Sequence, residues 1–253
     1  MHNKSVGLNN VESIKSSGKM KVTICFGGSM FNPKELEVDI IEKIANKVQE
    51  LEKNGYELLI VTGGGNTART YIEAAKNFSV SKNELDKLGI EATRLNARLL
   101  SYALGKKATK TPPKNFEKAV SESLSGKVPI MGGTQPGHTT DAVAANLAGA
   151  SKSDLLIYFT NVEGVYTEDP NENEDAEKIS EMTTSELSRL MEKMGFEPGM
   201  TSVIDPLASE IIQQNKIKTL VLGAAELGRL KEIIEGADHS GTTIKPGSNS
   251  KGR

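Results

Sequence analysis

Residues 21–29 read KVTICFGGS, a short β-rich run that stops at a pair of glycines. The same arrangement recurs twice further along the chain. Residues 58–65 read LLIVTGGG, and residues 128–133 read VPIMGG. Short apolar runs that are bounded by glycine predict buried strands. The sequence therefore predicts three strands that each end in a glycine loop.

Segments with helical spacing separate the strands. Apolar residues recur at a helical period from Leu36 to Leu51. Thr183 with Glu186 forms a capping-box signature, and Asp205-Pro206 is an N-cap followed by proline at the first helical position. Further helices are predicted over residues 68–78, 93–104, 140–150, 184–193, 206–214 and 226–235. Further strands are predicted over 155–160 and 218–222, with a final edge strand over 242–244.

This alternation predicts an α/β fold, a three-layer αβα sandwich with a mainly parallel central sheet. The uninterrupted apolar strand at 155–160 fits a sheet that helices cover on both faces. We find no internal repeat and no domain linker. The sequence predicts one domain over residues 20–246 with two functional lobes, a flexible extension over 1–19 and a flexible tail over 247–253.

Composition excludes several classes of protein. The chain of 253 residues has a formal net charge of −2, which argues against a non-specific nucleic-acid binder. Cys25 is the single cysteine, so no internal disulfide and no cysteine-based zinc site can form. No apolar stretch reaches the roughly 18–20 residues of a membrane span. We expect a soluble, cytoplasmic protein with neither nucleic acid nor membrane as a partner.

The glycine loops indicate phosphate binding. In open α/β sheets, ligands bind at the carboxyl ends of the strands. Glycine allows backbone N–H groups to approach phosphate oxygens, and the helix that follows adds positive potential. One glycine pair is more often a turn than a site, whereas three at predicted strand ends favour a site. Neither the Walker pattern nor the Gly-x-Gly-x-x-Gly pattern is present.

The densest polar cluster spans residues 133–141 and reads GTQPGHTTD. Thr139, Thr140 and Asp141 could simply cap the helix that follows them. A single cap does not need two threonines, an aspartate and two glycines, so a phosphate site is favoured. His138 taken alone is more typical of a structural or surface histidine than of a catalyst, because phosphoryl transfer rarely needs a strong general base.

A second polar segment, residues 160–170, follows the strand at 155–160 and reads TNVEGVYTEDP. It could be a polar loop with a glycine turn. It could equally hold a nucleotide, since Tyr166 offers a flat face for a base and Thr160, Asn161 and Asp169 offer hydrogen bonds. Composition alone leaves both interpretations open.

Together these segments resemble the amino acid kinase family, and within it the archaeal-type UMP kinases. The resemblance extends from Met20 to Ile244 and is most specific at residues 131–141, 160–170 and 202–208. It implies a kinase that uses ATP with Mg²⁺ as donor and UMP as acceptor, giving UDP and ADP. It also implies an acceptor lobe in the N-terminal part, an ATP lobe in the C-terminal part, and a homohexamer built as a trimer of dimers.

The resemblance also implies a role for individual residues. Asp141 matches the family's organising aspartate, and Asp141 and Arg69 are the catalytic candidates, with no protein ligand to a metal assigned. ATP would contact Gly28, Ser29, Gly65, Arg69, Thr160, Asn161, Tyr166 and Asp169. UMP would contact Gly64, Asp86, Thr134, Gln135, Pro136, Gly137, His138, Thr139 and Thr140.

One position departs from the wider family. Many members carry a lysine two residues before the first glycine pair, where this chain has Cys25. Archaeal-type UMP kinases commonly lack that lysine too, so Arg69, the glycine-loop amides and Mg²⁺ would supply the positive charge, and Cys25 is expected to be a buried strand residue. A non-catalytic nucleotide or oxyanion binder of the same fold, or a kinase of another small acidic acceptor, remains the alternative.

Overall fold

The computed structural model describes residues 19–31, 36–170, 172–194 and 204–247. Its strands are β1 (Lys21–Phe26), β2 (Glu57–Thr62), β3 (Ile130–Met131), β4 (Leu155–Thr160), β5 (Val165–Tyr166), β6 (Lys178–Ile179), β7 (Glu181–Thr183), β8 (Thr219–Gly223) and β9 (Thr242–Lys245). Its helices are α1 (Gly28–Phe31), α2 (Val38–Lys53), α3 (Gly65–Lys76), α4 (Lys82–Leu104), α5 (Phe116–Leu124), α6 (Thr140–Ser151), α7 (Thr184–Met194), α8 (Pro206–Asn215) and α9 (Leu230–Ile234).

The main sheet has seven strands in the order β3-β2-β1-β4-β8-β9-β7. The pairs from β3 to β8 are parallel, and β9 pairs antiparallel with β8. The chain moves outward from β1 through β2 to β3 and then returns to the other side of β1 as β4. This reversal of strand order opens a crevice at the carboxyl ends of β1 and β4, where α/β proteins bind ligands.

Side chains of the central strands alternate between two cores. On β1, Val22, Ile24 and Phe26 join the core beneath α2 and α4, while Cys25 points into the core beneath α6 and α8. Strands β2, β4 and β8 alternate in the same way. Helices therefore cover both faces of the sheet, which confirms the three-layer α/β prediction.

The structure corrects the predictions for the edge strand and for the last helix, and it contains one helix that was not predicted. Strand β9 is not at the sheet edge, because β7, a strand too short and polar to predict, pairs with its outer side. The stretch before β3 contains helix α5, which begins where Asn115 accepts a hydrogen bond from the Lys118 N–H at 2.9 Å. The segment predicted as a helix over 226–235 starts as a 3₁₀ turn at Ala224–Arg229 and becomes α-helical only in α9.

Helix α4 begins eleven residues before its predicted start, at Lys82 rather than residue 93. The Ser81 side chain accepts from the Glu84 N–H and caps this end. The extra turns carry Asp86 towards the carboxyl edge of the sheet. The predicted capping box at Thr183 and Glu186 is confirmed by reciprocal bonds of 2.6 and 3.2 Å.

No helix among the described residues is long and apolar enough to cross a membrane. Residues 1–18 of the predicted extension and 248–253 of the predicted tail lie outside the described ranges. So do Ser202 and Val203, which belong to one of the segments that carry the family resemblance.

Candidate active site

The loops after β1 and β2 touch one another through their backbones. A Cβ atom on Gly28 would stand 2.0 Å from the Gly65 nitrogen, and one on Gly63 would stand 2.2 Å from the Gly28 nitrogen. No side chain fits at either position, so glycine is required for this close approach. Gly65 also has a φ of +60°, a conformation that favours glycine. The two loops therefore form one joint surface at the carboxyl edge of the sheet.

The third glycine loop, after β3, lies against helix α4. A Cβ atom on Gly132 would stand 2.4 Å from the Thr93 hydroxyl oxygen. That hydroxyl accepts a hydrogen bond from the Gly133 N–H at 2.6 Å and donates to the Ile90 carbonyl at 2.6 Å. Arg94 adds hydrogen bonds to the carbonyls of Gly133 and Thr134 at 3.2 and 3.3 Å. Helix α4 thus fixes the start of the polar cluster at 133–141.

A cavity of about 570 Å³ lies between α4, the start of α3 and the start of α6. Its walls bring together most of the residues assigned to UMP by the resemblance, and Gly65 from the ATP set. The members of the UMP set that line it are Gly64, Asp86, Gln135, Gly137, His138, Thr139 and Thr140. Thr134 and Pro136 lie in the same loop but outside that lining, and the Thr134 hydroxyl is buried without a hydrogen-bond partner among the described residues.

Asp86 contacts the 133–141 segment directly. One oxygen of its carboxylate accepts a hydrogen bond from the Gly137 N–H at 2.9 Å. Gly137 has a φ of +84°, so the turn that presents this N–H favours glycine. Within the same turn, the Gln135 amide and the His138 ring nitrogen Nε2 are 3.0 Å apart. Asp86 therefore holds the loop that forms the opposite wall of the cavity.

Two helix N-caps meet at the far end of the cavity. Thr139 caps α6 by accepting from the Ala142 N–H at 3.1 Å, and its hydroxyl donates to a carboxylate oxygen of Asp205. The other oxygen of Asp205 accepts from the Ala208 N–H at 3.0 Å and caps α8. The sequence identified Asp205 as a cap but not as a cavity residue. Only its place in the family-like segment at 202–208 could have signalled this second role.

Asp141 lies beside this pair of caps. Burial, and then the nearby negative charge of Asp205, raise the pKa of Asp141 to about 8. The Cys25 sulfur is 4.0 Å from its carboxylate, and the Tyr158 hydroxyl donates to its backbone carbonyl at 2.8 Å. Burial and the Asp141 charge also raise the pKa of the Cys25 thiol, and the expectation that Cys25 is a buried strand residue is confirmed.

The remaining residues assigned to ATP, apart from Arg69, lie outside the cavity, beyond the ends of β1 and β4. Gly28 and Ser29 form the start of α1, next to Gly65. Thr160 ends β4, where its hydroxyl donates to the Val162 carbonyl at 2.7 Å and shapes the turn that contains Asn161. Tyr166 lies in the β5–β6 hairpin, and Asp169 follows it.

A residue that the sequence did not single out positions this hairpin. The Thr242 hydroxyl on β9 accepts from the Val165 N–H at 2.8 Å, and a Cβ atom on Gly164 would stand 2.6 Å from the same oxygen. A lone threonine in a short strand carries no local signal for such a contact.

Arg69 is exposed on α3 and does not line the main cavity. It lies instead in a shallow depression along the outer surface of that helix, with Asn66 and Glu73 among its neighbours. It lies one helical turn after Gly65. Because it does not line the cavity, the catalytic and ATP-binding roles assigned to it stay predictions.

The chain matches proteins of one known family over most of its length. The sequence model of the amino acid kinase family matches residues 20–223. The chain is 45% identical over 228 residues to a uridylate kinase of Methanococcus aeolicus, covering 90% of this chain and 100% of that protein. It is 41% identical over 227 residues to a uridylate kinase of Thermococcus kodakarensis, with the same coverage.

Solved structures show the same relationship. The uridylate kinase of Archaeoglobus fulgidus superimposes with a TM-score of 0.79 at 37% identity, covering 89% of this chain and 100% of that one. A UMP kinase of Bacillus anthracis superimposes with a TM-score of 0.75 at 25% identity, covering 91% and 98%. The chain belongs to the amino acid kinase family, and the resemblance drawn from its sequence is confirmed.

Proposed function

We infer that this chain is a UMP kinase, which transfers the γ-phosphoryl group of ATP to UMP and gives UDP and ADP. The observation that carries the inference is the cavity between Asp86 and the 133–141 segment. It lies in a chain that covers the full length of uridylate kinases at 41–45% identity. In the reaction, an oxygen of the UMP phosphate bonds to the γ-phosphorus, and the bond from that phosphorus to the β–γ bridging oxygen breaks.

The polarity of the cavity supports UMP as the acceptor. The N-terminus of α6, with Thr139 and Thr140, offers hydroxyls and backbone N–H groups that suit a phosphate. The carboxylate of Asp86 only accepts hydrogen bonds when ionised, so it suits the ribose hydroxyls. Gly64 and the loop Thr134, Gln135, Pro136, Gly137 and His138 would enclose the rest of the nucleotide.

The donor nucleotide would bind on the side of β1 and β4. Gly28, Ser29 and Gly65 provide backbone N–H groups for the phosphates, and Arg69 would approach them from α3. The turn at Thr160 and Asn161 and the hairpin residues Tyr166 and Asp169 would hold the adenine nucleotide. Phosphoryl transfer depends mainly on positioning and electrostatic stabilisation, which such a set of groups can supply.

Asp141 and Asp205 fit a cation that arrives with ATP. The two carboxylates are neighbours, and burial together with the negative charge of Asp205 raises the pKa of Asp141 to about 8. Carboxylate oxygens are ligands that Mg²⁺ prefers, usually together with substrate phosphates. When bound, Mg²⁺ would offset the negative charge of the β- and γ-phosphates. Asp141 in its ionised form would hold it near the transferred group, directly or through water.

A coupled assay for ADP release with Mg-ATP tests the proposal. The acceptors are UMP, CMP, deoxy-UMP, acetylglutamate and isopentenyl phosphate, each at matched concentrations. We expect the highest kcat/KM with UMP, because a site built to bond particular polar groups strongly rejects ligands that lack them. Comparable efficiency with CMP or with a non-nucleotide acceptor would refute UMP specificity. No turnover with any of them would favour the non-catalytic alternative.

We also propose a homohexamer, built as a trimer of dimers, that works in the cytoplasm, where ATP and UMP are available. The proposal of self-association is supported by large apolar side chains on the outer faces of α3 and α4. Tyr71, Leu95 and Tyr102 are 59–67% exposed, and Leu95 and Tyr102 are two helical turns apart. Light scattering coupled to gel filtration tests the assembly, and a monomer of 27.2 kDa would refute it.

A further inference from the structure

The side chain of Asn96 bonds to the glycine loop after β2 rather than to its own helix. It lies on α4 and is only 2% exposed. Its Nδ2 donates to the Gly63 carbonyl at 2.8 Å and to the Gly64 carbonyl at 3.2 Å. Both partners are carbonyl oxygens, which only accept hydrogen bonds. The NH₂ group of the Asn96 side chain, rather than its oxygen, must therefore face the loop.

The position of these carbonyls fixes the direction of the next two amides. In a trans peptide, the C=O and the N–H that follows it point to opposite sides. Since the carbonyls of Gly63 and Gly64 face Asn96, the N–H groups of Gly64 and Gly65 face away from α4. The backbone of Gly28 lies directly against these two amides, since a Cβ atom on Gly28 would stand 2.0 Å from the Gly65 nitrogen and 3.0 Å from the Gly64 nitrogen.

These two amides begin helix α3, with Gly64 as its N-cap residue. The first N–H groups of a helix have no partner within it, and they bind anions readily. Both therefore point into the seam between the loops after β1 and β2. In the proposed function this seam separates the donor side, with Gly28, from the acceptor side, with Gly64.

We propose that Asn96 is a positioning residue for phosphoryl transfer, which aims the Gly64 and Gly65 amides at the group in transit. The proposal rests on the proposed function. Donors held in advance where charge develops stabilise the transition state more than the bound substrates. Loss of the Asn96 contact should therefore lower kcat much more than it raises either KM.

Two variants and a matched control test the role. Asn96→Asp is nearly isosteric but replaces the donor with an acceptor, and Asn96→Ser is a neutral change that cannot span both carbonyls. Ser101→Ala is the control, because Ser101 is also a buried polar residue of α4, 6% exposed, but donates only to the Ala97 carbonyl of its own helix. We expect kcat to fall about 100-fold in Asn96→Asp and about 10-fold in Asn96→Ser. Both KM values should stay within about threefold, and Ser101→Ala should keep its kcat within about twofold.

Each outcome has a separate meaning for the two proposals. Turnover of UMP by the unmodified enzyme tests the proposed function alone. Asn96 variants with normal kcat, or with a loss that appears only as lower melting temperature, would overturn the positioning role alone. NMR spectra of protein that is isotopically labelled at glycine provide a test that does not depend on the acceptor. ATP should shift the Gly64 and Gly65 amide resonances in the unmodified protein and much less in Asn96→Ser, and an equal response in both would overturn the role.

Discussion

The hydroxyl of Thr139 donates a hydrogen bond to Asp205, which joins the N-cap residue of α6 to the N-cap residue of α8. Each residue also accepts from an N–H of its own helix, at 3.1 Å for Thr139 and 3.0 Å for Asp205. Two helix N-termini, each with a partial positive charge, therefore converge on one cavity. The free N–H groups at these helix starts can donate to the phosphate of an acceptor nucleotide, while the neighbouring Asp205 carboxylate suits the cation that accompanies ATP.

Replacing Thr139 with valine should impair both stability and acceptor binding. Thr139→Val keeps the shape of the side chain but removes the cap, which costs about 1 kcal/mol or roughly 2–4 °C in Tm. It also leaves an oxygen of Asp205 without its donor at the edge of the cavity. We expect the KM for UMP to rise about 10-fold, measured by steady-state kinetics.

Asn115→Ala is the control for this variant, because Asn115 caps α5, and it does not line the cavity. It should lower Tm by a similar amount and leave the kinetics unchanged. If Thr139→Val shows the same Tm loss with an unchanged KM for UMP, then the Thr139–Asp205 bond serves only the fold.

Asp141→Asn should abolish most of the activity while the protein still folds. The amide keeps the size of the side chain but cannot carry the charge that orients cationic groups around the transferred phosphoryl. Loss of one electrostatic stabiliser typically lowers kcat by about 10²-fold or more. Turnover assays with circular dichroism on the same samples would check this. Near-normal turnover would show that Asp141 has no catalytic role and only forms part of the first turn of α6.

The same variant should remove a pH dependence of stability in the nucleotide-free protein. The pKa of Asp141 is about 8 in the folded state and 3.8 in the reference state, so between these values the folded protein holds a proton that the unfolded chain has lost. Stability must then fall as pH rises through this window. Relative to Asp141→Asn, the free energy of unfolding should drop by at least about 1 kcal/mol between pH 5 and pH 8. Parallel urea titrations that show a constant difference would contradict the raised pKa.

The local sequence predicted the bounds of central strands and the start of α6 well. The bounds of β1 at Lys21–Phe26 and of β4 at Leu155–Thr160 match the prediction, because each is an apolar run closed by polar or glycine residues. The start of α6 at Thr140 also matches, since Thr139 is a strong cap. Glycine loops at strand ends predicted where the cavity would form.

Features that depend on contacts between distant segments were not predictable in this way. Strand β7 has only three residues and exists because β9 pairs with it. The contacts of Thr93 and Asn96 with glycine loops about 30–40 residues away leave no local pattern. Helix α5 was missed because its charged composition hides a short apolar face, in which Ala119 is buried against α6.

Asp86→Ala tests the acceptor side of the cavity most directly. One oxygen of Asp86 holds the Gly137 N–H at 2.9 Å, and the carboxylate lines the cavity where the ribose hydroxyls of UMP would lie. A hydrogen bond to a charged group contributes about 1.5–3 kcal/mol, so the KM for UMP should rise about 10- to 150-fold. The KM for ATP should change little, because the donor binds on the side of β1 and β4.

Asp86→Asn should give a smaller rise in the KM for UMP, since its amide oxygen can still accept from the Gly137 N–H. Glu84→Ala is the control, because Glu84 is a neighbouring acid on α4 that pairs with Lys87 and lies outside the cavity lining. Kinetics with each substrate varied in turn would decide the matter. An unchanged KM for UMP, or equal losses for both nucleotides, would show that Asp86 does not bind the acceptor.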